Sequence, residues 1–361
     1  MSDLGETMSL TQPPAELDGR DIEPQPHVVS SLEQDYTKRL MVFGGRASGE
    51  LAAKIAGQLD VDMGQVLLRT FANGEVYCRY EESIRGADVF IVQSTAPNER
   101  TGLTPNDALV ELLCMIDAAQ GASAHRIIAV MPWYGYARQD KKSQPREPIT
   151  ARVVAKTLEE IGVDRVLTMD LHAGQVQGFF HVPVDHMTAM PMLTQWFIDQ
   201  QFDEELVIVS PDAGRVKVAR NFARKVGTHW AVMEKERPAH QVAEIGYVVG
   251  DVKGKTAVLV DDMIDTAGTL CAAAETVLQE GAARVIACAT HGVFSGPAYE
   301  RLAYESSGIE RIVVTDTVPL RPGKPDNITV LSTAQTLADS IRRIFSDDSV
   351  SEIFAGENQL F

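Results

Sequence analysis

The sequence predicts an α/β protein made of two similar units in tandem, each a mostly parallel sheet flanked by helices. Three observations carry that expectation. Short, nearly unbroken apolar runs alternate with longer amphipathic stretches, the pattern of strands buried on both faces under helices. The order strand, loop, helix, Gly-Ala turn, strand occurs twice, from ADVFIV to GASAHRIIAV and from TAVLVDD to GAARVIACA. The length of 361 residues suits about two domains.

Along the chain, residues 1–37 come first. They hold eight acids and one base, are rich in Pro and Gln, and show no periodicity, which predicts a disordered acidic extension. Strands are then expected at 40–43, 87–92, 126–131, 165–169, 206–209, 256–260, 284–289 and 311–314, where apolar runs are bounded by polar or Gly-containing turns. Helices are expected at 49–59, 105–120, 150–161, 213–226 and 268–280, where apolar residues recur at helical spacing.

Composition narrows the class. Hydrophobic residues make up 45% and charged residues 23%, ordinary values for a globular protein with a real core. A net charge of −17 argues against non-specific binding to nucleic acid or to an anionic membrane. No apolar run approaches the roughly 20 residues that span a bilayer, and no basic segment leads an apolar one at the N-terminus, so a cytoplasmic location is expected. Cys78, Cys114, Cys271 and Cys288 stand singly in apolar runs and are expected as buried free thiols.

Chemistry concentrates in four stretches. In VLVDDMIDTAGTL, residues 258–270, a core strand meets Asp261, Asp262 and Asp265 and then Thr266, Ala267, Gly268 and Thr269. A turn from a strand's carboxyl end into a helix N-terminus suits a phosphate, held by backbone N–H groups and the helix dipole. Ionised carboxylates accept but do not donate, so the acids suit a vicinal diol, or a metal bound to it. Phosphate loop plus diol acceptors describes a ribose 5-phosphate. In PWYGYARQDKKSQPREP, residues 132–148, Arg138, Lys141, Lys142 and Arg146 cluster after a strand in an otherwise acidic chain, which suits a polyphosphate. In TMDLHAGQVQGFFHVPVDH, residues 168–186, Asp170 and His172 lie two apart after a strand, a pairing that suits a magnesium–nucleotide site. Residues 233–240, MEKERPAH, lack periodicity and carry Lys235 and Arg237; cations on such a loop can close over an anionic transition state.

The 258–270 stretch resembles the phosphoribosyl pyrophosphate motif shared by type I phosphoribosyltransferases and ribose-phosphate pyrophosphokinases, which leaves two enzyme classes open. With the other stretches, the chain from about Arg39 to Phe361 resembles the ribose-phosphate pyrophosphokinases in motif order. The resemblance implies two tandem domains of the type I phosphoribosyltransferase kind: 38–184 on the ATP side, completed by the tail 338–361, and 185–337 on the ribose 5-phosphate side. It implies transfer of the diphosphoryl group of ATP to the anomeric hydroxyl of ribose 5-phosphate, with AMP released, for nucleotide, histidine and tryptophan biosynthesis.

Residue by residue, the resemblance implies ATP contacts from Phe71, Asn73 and Glu75 of FANGE, from Arg138 and Gln139, and from His172. Many members carry Asp where Asn73 stands. It implies Mg2+ held near Asp170, His172 and Asp212, with no metal role carried to His181. Asp261, Asp262, Asp265, Thr266, Ala267, Gly268 and Thr269, with Arg237, would bind ribose 5-phosphate, and Lys235 and Arg237 would be the catalytic cations. Ser83 and Arg85 are implied as regulatory residues, in a homo-oligomer that is a hexamer in the family's common form. A phosphoribosyltransferase would share the ribose motif but need no ATP site. A non-catalytic regulatory paralogue would be expected to lack the cations and metal residues that are present here.

Overall fold

Every apolar run expected as a strand is one in the computed structural model, which describes residues 38–200, 202–236 and 245–354. The extension 1–37 lies outside the described residues. The first half runs β1 (Arg39–Gly44), α1 (Gly49–Gln58), β2 (Val66–Thr70), β3 (Val76–Tyr80), β4 (Ala87–Val92), α2 (Pro105–Gly121), β5 (Arg126–Met131), α3 (Thr150–Glu160), β6 (Arg165–Met169) and β7 (Val184–Met187). Then follow α4 (Met190–Asp199), β8 (Leu206–Ser210), α5 (Val216–Val226), β9 (His229–Glu236), β10 (Ile245–Val249), β11 (Thr256–Ile264) and α6 (Gly268–Gln279). The chain closes with β12 (Arg284–Gly292), α7 (Ala298–Leu302), α8 (Tyr304–Ser307), β13 (Ile309–Thr315), β14 (Ile328–Leu331) and α9 (Ala334–Phe345).

Two sheets organise these elements. One has the order β1-β4-β5-β6-β7 and is parallel throughout. The other has the order β10-β9-β8-β11-β12-β13-β14 and is parallel except for the β9–β10 pair. The hairpin β2–β3 forms a separate two-stranded sheet. All six residues of β4 are buried, as a strand covered on both faces requires.

One apolar cluster fills the space between the sheets. It joins Val42, Phe90, Val130 and Leu167 of the first sheet to Ile208, Val258 and Val313 of the second through residues of α1, α4, α5 and α9. Separate clusters cover the outer faces, under α2 and α3 on one side and α6 and α7 on the other. Local rules set the helix ends. Thr104 and Asp107 form a reciprocal capping box with Pro105 at the first position of α2. Gly227 ends α5 at φ 82°, a conformation that costs little without a Cβ.

Several elements were not expected. Residues 233–236, read as part of a loop, are the end of β9, paired backbone to backbone with β10. Alternation is present there, with Ala231 and Met233 buried and Trp230 exposed, but polar termini on a short strand masked it. The 213–226 helix begins as a 3-10 turn, Ala213–Arg215, before α5. Of the cysteines expected as buried, only Cys288 is fully so; Cys78, Cys114 and Cys271 are partly exposed, and all four are free. Among the described residues no helix is long and apolar enough to cross a membrane.

The end of α9 is tied to the first sheet by a buried charge. The side chain of Asp88 has no exposure and sits 2.5 Å from Arg126 Nη2, 2.8 Å from His125 Nδ1 and 3.8 Å from Lys38 Nζ. Arg126 also donates to Asp347, and Lys38 to Asp347 and the Phe345 carbonyl. Burial alone would raise the Asp88 carboxyl, but hydrogen bonds from Arg126 and His125 outweigh it and hold the group below its ordinary value. A carboxyl depressed on folding stabilises above its unfolded pKa, and that stability is lost as pH falls through the folded value. Asp88→Asn should therefore cost about 3–5 kcal/mol at neutral pH, read as a lower urea midpoint. The gap from the parent should narrow below about pH 4, where the unfolded carboxylate also takes up a proton.

Candidate active site

Two strand ends meet across the inter-sheet space. β6 delivers Asp170 and His172, and β11 delivers Asp261 and Asp262. The acids do not end β11, as expected, but continue it: the strand runs to Ile264 and keeps its pairing, Asp261 opposite Ala289 and Met263 opposite His291. The side chains of Asp261 and Asp262 are 29% and 6% exposed. Backbone hydrogen bonding to β12 holds the acids in extended geometry although a carboxylate is a poor strand former.

Asp262 is the hub. Its Oδ2 lies 2.7 Å from His172 Nδ1, and its Oδ1 lies 2.7 Å from Arg215 Nη2. Arg215 Nε lies 3.7 Å from Asp261 Oδ1, and its Nη2 donates to the His172 carbonyl at 3.1 Å. Burial pushes the Asp261 carboxyl up to about 8, helped by the hydrogen bond and charge of Asp262. Burial acts on Asp262 too, but the hydrogen bond with His172 and the charge of Arg215 outweigh it and hold this carboxyl far below its usual range. The two environments thus differ in direction: His172 and Arg215 favour the ionised form of Asp262, whereas burial and the neighbouring carboxylate favour the protonated form of Asp261.

Asp170 is 5% exposed at φ 39°, with Oδ2 accepting from Ala189 N at 2.8 Å and from Thr290 Oγ1 at 2.6 Å. Its Oδ1 is buried without a hydrogen-bond partner. With Thr188, Arg215, Asp261 and Asp262 it lines one small cavity.

Beyond β11 the chain turns into α6. The strained residue is Ala267, at φ 61°, rather than Gly268, which opens the helix. Thr266, Gly268 and Thr269 are exposed, and the first-turn N–H groups have no intrahelical acceptor. Arg301 Nη1 donates to the Thr266 carbonyl at 2.9 Å and braces the turn from behind.

Arg138 of the basic loop reaches Asp265, Nη1 to Oδ2 at 2.7 Å. Gln139 accepts from Thr150 Oγ1 at 2.6 Å, and Gln175 donates to Asp140 at 2.8 Å, joining two of the chemistry-bearing stretches. Arg138, Gln139, Trp133, Tyr136, Met263, Asp265 and Ser295 line an open cleft of about 600 Å³ between the halves. Gly135 is required at its floor: it donates to Thr95 Oγ1 at 2.6 Å, and a Cβ there would lie 2.7 Å from the Thr95 carbonyl.

Other expected residues lie apart from this group. Phe71, Asn73 and Glu75 form the exposed tip of the β2–β3 hairpin, where Asn73 Oδ1 accepts from Glu75 N and Phe71 packs edge-on to Tyr77. Among the described residues no hydrogen bond or ion pair joins them to Asp262. Asp212 is exposed and caps the turn that carries Arg215, accepting its N–H at 3.1 Å. His181 is exposed beside Glu159. Ser83 and Arg85 are exposed ahead of β4, with the Ser83 carbonyl accepting from Arg39. The backbone of Lys235 pairs with Gly246 in the β9–β10 ladder, whereas Arg237 lies outside the described residues. Sequence reading missed Arg215 and Arg301. A cation three residues beyond Asp212 was the available signal for the first; nothing local marks the second.

Comparison with known proteins follows this geometry. A family model described as the N-terminal domain of ribose phosphate pyrophosphokinase matches residues 40–162, and one described as the phosphoribosyl synthetase-associated domain matches 231–355. The chain is 49% identical over 321 residues to a ribose-phosphate pyrophosphokinase of Caldanaerobacter subterraneus subsp. tengcongensis, covering 88% of this chain and 99% of the relative. It is also 49% identical over 332 residues to one from Streptomyces avermitilis, covering 90% and 99%. The crystal structure of phosphoribosylpyrophosphate synthetase from Mycobacterium smegmatis aligns with TM-score 0.79 at 47% identity, covering 86% of this chain and all of that one.

Proposed function

The chain belongs to the ribose-phosphate pyrophosphokinase family, enzymes that make phosphoribosyl pyrophosphate, and from that premise we propose how its residues divide the reaction. The diphosphoryl group of ATP passes to the anomeric hydroxyl of ribose 5-phosphate, and AMP leaves. Phosphoryl-type transfer asks chiefly for positioning and charge stabilisation. The reading is supported above all by the 2.7 Å contact between His172 and Asp262, which joins the 168–186 stretch to the 258–270 stretch.

In this reading Asp262, kept ionised by His172 and Arg215, accepts a ribose hydroxyl, and Asp261 meets the neighbouring one. The Thr266–Thr269 turn and the start of α6 take the 5-phosphate. Arg138, Gln139 and His172 hold the polyphosphate, with Phe71, Asn73 and Glu75 as adenine contacts. Lys235 and Arg237 neutralise charge on the diphosphoryl group in transit.

The residues suit Mg2+. Asp262 is acceptor-only, so His172 Nδ1 carries the hydrogen between them and Nε2 keeps its lone pair, the arrangement by which a carboxylate orients a ligating imidazole. Asp212 supplies an exposed carboxylate oxygen. Asp261 and Asp262 already face the Arg215 charge and are the poorer ligands, and Asp170 spends Oδ2 on internal hydrogen bonds. His172 and Asp212 would therefore hold the ion, which when bound offsets polyphosphate charge.

The division into 38–184 and 185–337, with 338–361 completing the first, is supported in outline by the two sheets and by α9 packing its buried face toward α1. However, β7 (Val184–Met187) belongs whole to the first sheet and α9 (Ala334–Phe345) is one helix, so neither boundary falls between elements. A homo-oligomer with Ser83 and Arg85 in regulation completes the reading. Its test is direct: with ribose 5-phosphate, ATP and magnesium, the protein should release AMP. AMP that does not depend on ribose 5-phosphate, or no AMP at all, would sink it.

A further inference from the structure

One buried imidazole touches both halves of the site without belonging to either set of binding residues. His291 lies in β12, the strand paired with the acid-bearing β11, and has no exposure. Its Nε2 is 3.1 Å from both the Met169 and Asp170 carbonyls, at the carboxyl end of β6. Carbonyls only accept, so Nε2 carries the hydrogen, and Nδ1 accepts from Thr317 Oγ1 at 2.8 Å. Trp133 packs edge-on against the ring, with centroids 4.7 Å apart. The preceding residue on β12, Thr290, donates to Asp170 Oδ2, and His186 accepts from Leu171 N at 2.9 Å. The turn at residues 169–171 is thus pinned from several directions, at a residue whose φ of 39° is unusual for a non-glycine.

We propose that His291 is a positioning residue, clamping the carboxyl end of β6 to β12 and so setting the separation between His172 and the Asp261–Asp262 pair. The physical need is specific. β6 belongs to one sheet and β11 and β12 to the other, and among the described residues no strand pairing joins the two sheets. A side-chain donor reaching two carbonyls across that gap replaces the missing ladder. A nucleotide site and a ribose site that drift by an ångström lose the alignment that transfer requires. This inference rests on assigning His172 and Asp262 to opposite substrates.

The experiment compares the full-length parent, His291→Leu and His291→Gln by ribose-dependent AMP release, with thermal unfolding measured alongside. Leucine fills similar volume without a donor, whereas glutamine keeps an N–H at about the position of Nε2. His291→Leu should lose about 100-fold in kcat, the scale of a one-ångström misplacement, while KM for ribose 5-phosphate stays close to the parent value. His291→Gln should recover most of that loss. A leucine variant that turns over like the parent, or a glutamine variant as slow as leucine, overturns the proposal. Should the leucine variant not fold, Thr317→Val removes the hydroxyl behind Nδ1 and leaves His291 in place. It should lower kcat at unchanged KM, and parent-like kcat in it is equally fatal. A parent that forms no ribose-dependent AMP would instead remove the functional reading itself.

Discussion

Lys235→Ala should lower kcat by roughly 10³- to 10⁵-fold while nucleotide binding persists, the scale on which a cation acts on a transferring phosphoryl group. The expectation comes from the MEKERPAH stretch, where Lys235 and Arg237 are clustered cations in a polar run of a strongly acidic chain. Such a charge contributes most when negative charge is spread over the group in flight, so the loss should fall on kcat. The backbone of Lys235 is held in the β9–β10 ladder, which survives truncation of a side chain. The fold should therefore persist. Steady-state kinetics and equilibrium nucleotide binding check this together. Near-parent kcat would remove Lys235 from the mechanism, and lost nucleotide binding would move it to the ground state.

Asp262→Asn should be the second large effect, and larger than Asp261→Asn. Asp262 faces both His172 and Arg215 at 2.7 Å with a 6%-exposed side chain. Removing the charge leaves Arg215 buried beside a neutral amide and gives His172 Nδ1 a group that no longer fixes its tautomer. Truncating one partner of a buried charge pair costs about 2–5 kcal/mol, or roughly 30- to several-thousand-fold in kcat/KM. Asp261, whose carboxyl is pushed up to about 8 by burial and by Asp262, spends much of its time protonated near neutral pH and loses less on becoming an amide. Equal losses in the two variants, or a greater loss in Asp261→Asn, would show the division of charge to be the wrong way round. The measurement is kcat/KM for each substrate at pH 7.

Much of the molecule was readable before its structure, for reasons that differ by element. Each expected parallel strand was found because a strand buried on both faces is written as an apolar run, with no neighbour needed to interpret it. The hairpin at 66–80, the strand ending at Glu236 and the edge strand at 328–331 were missed because half-exposed strands carry weak patterns. Their identity comes from pairing with a neighbouring strand, Val66 with Tyr80, Glu236 with Ile245 and Ile328 with Ile312, which the pattern of one strand read alone does not contain. Likewise Asp261 and Asp262 looked like a strand's end because carboxylates interrupt the apolar run. The β12 backbone decided otherwise by hydrogen bonding through them.

The sequence by itself determined the alternation of strands and helices, the turn into a helix at Thr266–Thr269 and the pair of acids before it. Each of these is a local matter of side-chain type and spacing. Only the tertiary structure decided that His172 meets Asp262, that Arg215 faces both acids and that His291 holds the end of β6. Those pairs are separated by 90, 46 to 47 and more than 120 positions. Their contacts exist because two sheets share one apolar core. So does the protonation of the acids: a carboxyl pushed up to about 8 beside one held far below its usual range is a property of burial and of the charges folding brings near, and no spacing rule contains it.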